Sequence, residues 1–427
     1  MPIPKKWISA VSFLCIGLSI WSIDHYFGIL IEDLQSLSPP VSNELNLEET
    51  TTLFSEISSQ TPDWEPTPTT EYKPGPLRPL GEAYTKTIIV PKTKDDDVSW
   101  IFSNFGQDPN INAAIYVVDD TTADLHTPRN KGHEVLAYLS FIVEQYHNLS
   151  DVNIFLHSHR FAWHNNDFLG NDAVQMISRL SAERVQREGY MNLRCHWEPG
   201  CPSWMHPGNK FPHLESPPQF CTAQSPNVSS IPNSNLLPSW TIEADPNKQE
   251  EPLLAPIWTQ LFPLDRIPPT LAQPCCAQFA LSAHRIHALP LARYVFFRDW
   301  LLRTPLSDYM SGRVWEYVWQ FIFTGRHVLC VDEHVCYCDG FGVCFGGKRE
   351  YEGFREKERK EGFEKAGVEE RKGMEEPEVG MDLQLEAVIQ ELKDWCEERL
   401  EGAKVHGDLA TSRAVEAGRE WHDGDGF

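Results

Sequence analysis

The chain has little positive charge and lacks the short glycine-rich motifs that mark nucleotide-phosphate binding. Its 37 lysine and arginine residues are outnumbered by 61 aspartate and glutamate residues, which gives a net charge of −24. General nucleic-acid binding needs a basic surface, so we expect no nucleic-acid partner. The sequence also contains no Walker loop, no dinucleotide-binding glycine fingerprint and no Gly-x-Ser-x-Gly nucleophile elbow.

Long apolar runs are scarce as well, and the one with the length of a membrane span lies near the N-terminus. Residues 7–23 carry no charge and follow Lys5 and Lys6. This length is near the minimum for a bilayer, and the two lysines favour a cytoplasmic N-terminus. No small-residue cleavage motif follows, so the sequence predicts a retained signal anchor within residues 1–30 of a single-pass type II membrane protein. A cleaved signal peptide and a buried soluble helix are the alternatives.

This topology places the rest of the chain in the lumen of the Golgi or endoplasmic reticulum, or at the cell surface. Cysteines pair as disulfides in such compartments, and Asn148 and Asn227 begin glycosylation sequons. Nine cysteines lie between the anchor and the C-terminal segment, so at least one is left over. The adjacent Cys275 and Cys276 are not expected to bridge each other, because such a bridge is strained. The other seven are Cys195, Cys201, Cys221, Cys330, Cys336, Cys338 and Cys344.

Composition divides the remaining chain into three segments. Residues 31–85 are rich in Pro, Ser and Thr and predict an extended stem. Residues 86–346 alternate strand-like and helix-like runs, which predicts an α/β domain with a mostly parallel sheet and crossover helices. Within this domain, residues 202–256 predict a surface insertion. Residues 347–427 are rich in Glu, Lys, Arg and Gly and predict a charged, largely disordered tail, in which residues 381–400 can form an isolated helix.

A strand that ends in histidines is the clearest sign of a functional site. The apolar residues 152–156 are followed by His157, His159, Arg160 and His164. Because ligands bind at the carboxyl ends of strands in α/β sheets, His157 and His159 are candidate ligands of a divalent metal. Arg160 and His164 are candidate substrate-binding residues, since arginine can fork onto a phosphate or carboxylate. The alternative is structural, with the histidines bonded to backbone carbonyls or carboxylates and the arginine in an ion pair.

Three carboxylates are further candidates. Asp119 follows a predicted strand at 113–118 and can bind a sugar hydroxyl or a metal, or form a turn or helix cap. Glu134 lies in the first turn of a predicted helix, where it can serve as acid/base or interact favourably with the helix N-terminus. Glu316 lies in an aromatic helix, where it can be an acid with a raised pKa. Its alternatives are an outward orientation or a pair with Arg313.

Seven short motifs follow one another along the domain. They are DVSW at 97–100, NKGHE with AYL at 130–139, FLHSHR at 155–160, GYMNLRC at 189–195, PGCP at 199–202, CCAQF at 275–279 and SGRVWEY at 311–317. Together they resemble the fungal domain-of-unknown-function family 3431 over roughly residues 86–344. The resemblance implies a fungal, often membrane-anchored protein and supplies no reaction. The first motif also looks like the opening strand of glycosyltransferases, an analogy that implies a Rossmann-like or nucleotide-sugar-transferase-like fold.

Two hypotheses for function follow. The first is a lumenal glycosyltransferase-like enzyme that acts on a nucleotide-sugar or a cell-surface glycan. In it, His157, His159 and Asp119 hold the donor or a divalent metal, and Glu134 or Glu316 is the acid/base. The second is a non-catalytic lectin-like or scaffold module of the secretory pathway. Convergence of His157, His159, Asp119 and Glu134 on one pocket would favour the enzyme. The sequence predicts no oligomeric state.

Overall fold

The domain is built around a five-stranded sheet whose strands are buried and rich in β-branched and aromatic residues. The first strand, for example, places Ile88, Ile89 and Val90 entirely out of solvent, and such residues pack well on a pleated surface. The computed structural model of the chain describes residues 72–75, 77–79, 81–207, 248–372, 379–422 and 427. The strands are β1 (Lys86–Lys92), β2 (Ile111–Val117), β3 (Val152–Phe155), β4 (Tyr190–Asn192) and β5 (Phe279–Ser282).

The sheet is mixed, with strand order β2-β1-β3-β5-β4. β1 runs parallel to β2 and β3, whereas β5 runs antiparallel to β3 and β4. The α/β class is therefore confirmed, and the sheet differs from the predicted one at β5, the one strand of the five that runs against the others. All residues of β3 and β5 are buried. A strand that is buried on both faces is apolar along its whole length, whichever way it runs. Its sequence therefore does not indicate whether it pairs parallel or antiparallel with its neighbours.

Helices cover the sheet. The residues from Ala173 to Glu188 form two helices rather than one, because the Ser181 hydroxyl accepts the Arg184 N–H and caps a new helix. The helices of the described residues are α1 (Ser99–Phe105), α2 (Val135–Gln145), α3 (Ala173–Arg179), α4 (Ala182–Glu188), α5 (Glu251–Leu261), α6 (Ala283–His287), α7 (Leu291–Arg303), α8 (Asp308–Glu316), α9 (Trp319–Thr324), α10 (Glu333–Phe341), α11 (Lys348–Lys372), α12 (Val379–Gly407) and α13 (Ala410–Glu416).

An aromatic cluster fixes α2 and α9 against the sheet. Phe155 of β3 and Phe279 of β5 have ring centroids 4.9 Å apart. Tyr138 of α2 lies 5.0 Å from Phe155, and Trp319 of α9 lies 5.2 Å from Phe279. All four side chains are fully buried, so their apolar area stabilises the fold while the edge-to-face and tilted ring contacts fix the ring orientations. The cluster thereby sets the positions of the N-terminus of α2 and of the chain that leads into α9.

The segment after residue 347 differs from the disordered tail that its composition predicts. Phe354 of α11 is buried, with its ring 4.7 Å from Phe345 and stacked at 6.0 Å on Trp395 of α12. The backbone N–H of Cys344 donates to the carbonyl of Ala403. Apolar residues are sparse in this segment, but they meet an apolar surface of the domain. Because that surface is formed by residues distant in sequence, composition alone does not show the helices.

Several predictions fall on parts of the chain that the structure leaves out. The predicted anchor at 7–23, most of the stem at 31–85, and residues 208–247 of the predicted insertion lie outside the described residues, as do Cys221 and Asn227. Within the described ranges, no helix has the length and apolar character that a membrane crossing requires.

Candidate functional site

Residues that follow β3 and residues of α8 enclose a cavity of about 320 Å³, which we call the carboxylate pocket. This volume lies at the low end of the ~300–1,000 Å³ that is typical of small-molecule sites. Four of the predicted site residues line it together: Glu134, His157, His164 and Glu316. The pocket therefore joins the histidine motif to both predicted acid/base residues.

The adjacent residues Cys275 and Cys276 form a disulfide with each other at the wall of this pocket, so the expectation that they stay unbridged is wrong. Cys276 and Ala277 both have left-handed backbone conformations, with φ of +84° and +48°. Such a turn is uncommon for residues other than glycine, and here it brings the two side chains together. The Cys276 N–H donates to Oε1 of Glu316 at 2.6 Å, and its carbonyl lies 2.8 Å from Nε2 of His157.

Glu316 is held by two donors. Besides the Cys276 N–H, Nη1 of Arg313 donates to its Oε2 at 2.9 Å, and Nη2 of the same arginine donates to Glu250 at 2.7 Å. Burial raises the pKa of Glu316, while Arg313 and the N–H of Cys276 favour the ionised carboxylate. Glu316 thus lines the pocket. It also pairs with Arg313, as the alternative to a catalytic role predicts.

Glu134 lies at the N-terminus of α2, after a loop that Gly132 and His133 turn with φ of +73° and +51°. The N–H of His133 donates to Oδ1 of Asp308, and an added Cβ at Gly312 would lie 3.0 Å from the His133 ring. A glycine in α8 thus permits the close approach of this loop. The Glu134 side chain is buried, and no other described residue donates a hydrogen bond to its carboxyl group. Burial, opposed by its own N–H and by His133, raises the pKa of Glu134 to about 7.

His157 and His164 lie side by side, with ring centroids 4.7 Å apart. Burial lowers the pKa of both, that of His164 to about 4, so both are neutral at neutral pH. Nε2 of His157 is hydrogen-bonded to the Cys276 carbonyl, which can only accept, so this nitrogen carries the proton. A bond from a histidine to a backbone carbonyl is what the structural alternative predicts. Nε2 of His164 is buried and has no hydrogen-bond partner among the described residues.

The structure describes two groups of three potential metal ligands, and neither contains a histidine. They are Cys275, Cys276 and Glu316, and Cys338, Cys344 and Glu416. The cysteines of both groups are disulfide-bonded, whereas a metal needs thiolates. The described part of the chain thus gives His157 and His159 no third ligand.

The other predicted site residues do not line the pocket. Oδ1 of Asp119 accepts the Lys94 N–H in a loop, as a turn residue does. His159 is exposed. Arg160 forks onto Asp172 with bonds of 2.9 and 2.8 Å, which is the structural ion pair of its alternative. The proposed convergence is therefore partial, because His157 and Glu134 share the pocket without Asp119 or His159.

The aromatic residues Trp163, Trp204, Tyr309 and Tyr317 line the pocket but are not among the site residues that the sequence predicts. Trp163 is 66% exposed and Tyr309 is 51% exposed, so both present ring surface to solvent at the pocket. The Arg194 guanidinium lies over the Trp163 ring, 5.3 Å from its centroid. Trp204 donates its indole N–H to the hydroxyl of Tyr317. Trp163 directly precedes His164 in the histidine motif, which is a signal that could have identified it. Trp204 lies in the Pro-rich insertion, where nothing in the sequence singles it out.

Three further disulfides confirm the prediction that cysteines of the domain pair with one another. Disulfides are typical of an oxidising compartment. Two of them connect the segment around Pro199, which lines the pocket, to the region of α10. Cys396 is the free cysteine of the described residues. The three bridges are Cys195–Cys336, Cys201–Cys330 and Cys338–Cys344.

Comparison with known proteins identifies the domain. The model of a family described as protein of unknown function (DUF3431) matches residues 88–339. The chain belongs to this family. The match covers more than half of the chain and includes every residue that lines the carboxylate pocket. Neither the curated proteins nor the solved structures contain a match to the chain.

Proposed function

We propose that this chain is a glycosyltransferase-like enzyme that acts on a glycan, with a sugar ring bound in the carboxylate pocket. The observation that carries the proposal is the pair of buried carboxylates, Glu134 and Glu316, in one cavity with different surroundings. Two carboxyl groups whose pKa values are set by different surroundings are a recurring arrangement for acid/base chemistry.

Glu134 is the proposed acid/base residue. A pKa of about 7 keeps both of its protonation states populated at neutral pH, which is where general acid/base catalysis is most efficient. In a transfer reaction the ionised carboxylate takes the proton of an acceptor hydroxyl while that oxygen attacks the anomeric carbon. The bond to the leaving group breaks, and the leaving group departs with the bonding electrons. Glu316, fixed by Arg313 and Cys276, supplies negative charge for the positive character that develops on the sugar.

The lining of the pocket favours an uncharged sugar over a diphosphate. Trp163 and Tyr309 offer ring faces, and the neutral His157 and His164 offer hydrogen-bonding groups without charge. Arg313 is the one arginine or lysine among the described lining residues, and it is already paired with two carboxylates. A glycan is therefore the better supported of the two substrate classes for this pocket.

The proposed location is the secretory pathway, with the chain anchored through residues 7–23. The four disulfides support an oxidising compartment, and the anchor rests on the sequence pattern alone. This placement puts the domain in contact with glycans of the lumen or the cell surface.

The test combines binding and turnover. The full chain is titrated with a panel of mono- and oligosaccharides by saturation-transfer NMR, and transfer from sugar donors is followed by mass spectrometry. We expect Glu134→Gln to bind the same saccharide and to lose about 100-fold or more in turnover. The control is Glu144→Gln, an exposed residue of the same helix outside the pocket, which should leave turnover unchanged. Binding without turnover in the wild-type chain would favour the lectin-like module, and no saccharide binding would overturn both functions.

A further inference from the structure

A second cavity, of about 220 Å³, is lined by arginines although the chain as a whole carries a charge of −24. We call it the arginine cavity. It shares no lining residue with the carboxylate pocket, and Glu188 is the one acidic residue among its described lining residues. Its arginines are Arg184, Arg187, Arg194, Arg285 and Arg326.

Arg285 is the most deeply buried of these arginines. The residue is 4% exposed, and its buried Nε–H has no hydrogen-bond partner among the described residues. The group stacks on the ring of Tyr72, with its central carbon 3.9 Å from the ring centroid. Stacking satisfies the face of a guanidinium but not its N–H donors. A buried charge without a hydrogen-bonding partner is costly, so a fold that keeps one points to a partner that arrives from outside.

Arg184 and Arg187 share their side-chain carboxylate partner. Each donates to the carboxylate of Asp339, at 2.6 and 2.8 Å, and Arg419 donates to the same carboxylate at 2.8 Å. Three guanidinium groups thus donate to one side-chain carboxylate. Arg187 also donates to the terminal main-chain oxygen of Phe427. The Nε–H groups of Arg184 and Arg187 are buried and have no partner among the described residues.

Arg194 and Arg326 make no ion pair with a carboxylate among the described residues. Arg194 donates to the backbone carbonyls of Trp163 and Glu198, and its buried Nε–H has no described partner. Arg326 is exposed, as is Glu188. Glu188, the acidic residue of the cavity, is therefore in contact with water, which screens its charge, while most of the arginines are buried.

The backbone is shaped to bring Arg285 against the turn between α4 and β4. Gly189 forms this turn with φ of +75°. A Cβ at this position would lie 2.7 Å from Nε of Arg285 and 2.8 Å from the ring of Tyr72. Any other residue would displace the arginine or the tyrosine, so the glycine keeps the guanidinium in the cavity.

We propose that the arginine cavity binds a phosphate group, carried by a phosphate ester or a diphosphate. Guanidinium groups fork onto phosphate oxygens, and several of them around one cavity provide both the charge and the donors that a dianion requires. The volume of about 220 Å³ is below the ~300–1,000 Å³ of common small-molecule sites, so it suits a phosphate or diphosphate better than a whole nucleotide. The site is independent of the proposed glycan chemistry, and either can fail without the other.

The test is isothermal titration of the full chain with inorganic phosphate, pyrophosphate and uridine diphosphate, with chloride and acetate at matched ionic strength as controls. We expect saturable binding of pyrophosphate and none of the control anions. Uridine diphosphate that binds more tightly than pyrophosphate would identify a nucleotide as the source of the phosphate groups. Equal affinities would identify the diphosphate alone. No saturable binding of any of the three phosphate compounds would overturn the proposal.

Substitutions separate a ligand site from a structural arginine. Arg285→Gln should weaken pyrophosphate binding about tenfold or more. In phosphate-free buffer it should unfold at a temperature no lower than the wild type, because it removes an unpaired buried charge. The control is Arg349→Gln, whose side chain is 92% exposed and should not affect binding. If Arg285→Gln does not fold, Arg326→Gln at the exposed edge should still weaken binding about threefold. Unchanged pyrophosphate affinity in both variants would contradict the proposal.

Discussion

The backbone N–H of Cys276 donates a 2.6 Å hydrogen bond to the carboxylate of Glu316. The carbonyl of the same cysteine accepts from His157, and its side chain is bridged to Cys275. A single residue thus connects the end of β3, the turn before β5 and helix α8. The orientation of the predicted acid and of the predicted histidine depends on the conformation of this one turn.

Removal of the Cys275–Cys276 bridge should loosen the pocket. In the double variant Cys275→Ser/Cys276→Ser, the left-handed turn is less constrained and the bond to Glu316 is weakened. The pKa of Glu316 should then rise further, because a donor to its ionised form is lost. Saccharide affinity should fall about tenfold, as expected for a hydrogen bond to a charged group. Carbon-13 NMR of labelled glutamate carboxyl groups measures the pKa, and saccharide titration measures the affinity.

The matched control for that experiment is the other local bridge, Cys338–Cys344, which lies outside the pocket. Its double serine variant should leave both the pKa of Glu316 and the saccharide affinity unchanged. Equal behaviour of the two double variants would show that the adjacent-cysteine bridge has no role in the pocket.

The raised pKa of Glu134 should make stability depend on pH. The folded chain holds a proton on this group up to about pH 7, whereas the unfolded chain releases it near its ordinary pKa. Folded protein therefore binds more protons between these values, and the wild type loses stability as pH rises through this window. Relative to Glu134→Gln, the loss should total about 3 kcal/mol. Urea unfolding of both proteins at about pH 5 and about pH 8 measures it. If the difference in free energy of unfolding between the two proteins is the same at both pH values, the prediction is wrong.

Trp163 should contribute to ligand binding and little to folding. The residue is 66% exposed and its ring contacts the Arg194 guanidinium, so Trp163→Ala should change the free energy of unfolding by no more than about 1 kcal/mol. Saccharide affinity should drop about tenfold, since the variant loses its ring face. Phe102→Ala is the control, because Phe102 is 58% exposed and lies outside the pocket. Intrinsic fluorescence and NMR titration report the two effects separately.

The two long-range disulfides should act together on stability. Cys195–Cys336 and Cys201–Cys330 close loops with sequence separations of 141 and 129 residues, and they connect almost the same two segments. With one bridge intact, the other closes a loop on the order of 15 residues, so its removal should cost about 3 kcal/mol. Removal of both should cost about 8 kcal/mol, because the second loss also opens a loop longer than 100 residues. A double-mutant cycle in urea tests this, and simple additivity would contradict it.

The helices after residue 347 should be part of the folded domain. Phe354→Ala removes a buried ring from the contact with Phe345 and Trp395, and should cost about 3–5 kcal/mol. Phe363→Ala in the same helix is the control, since Phe363 is 78% exposed and should change stability by no more than about 0.5 kcal/mol. Equal stabilities of the two variants would show that α11 does not contribute to the core in solution.

Local pattern was sufficient for the strand before His157, for the helix after Glu134 and for four of the residues that line the pocket. The buried run before His157 is a strand, and the periodic residues after Glu134 are a helix. Both patterns depend on neighbours in sequence, since alternation and helical spacing are local properties. The direction of β5 and the packing of α11 depend instead on residues far along the chain, and these are the features that differ from the prediction.

The sequence by itself determined the α/β class, the membership of the family and the residues Glu134, His157, His164 and Glu316 as candidates. Only the tertiary structure decided that these four line one cavity, while Asp119 and Arg160 bond elsewhere and His159 is exposed. It also decided that adjacent cysteines form part of the wall and that arginines gather in a second cavity. The physical reason is that burial and charge depend on which distant side chains come together, and those contacts set the pKa and the free donors of each group.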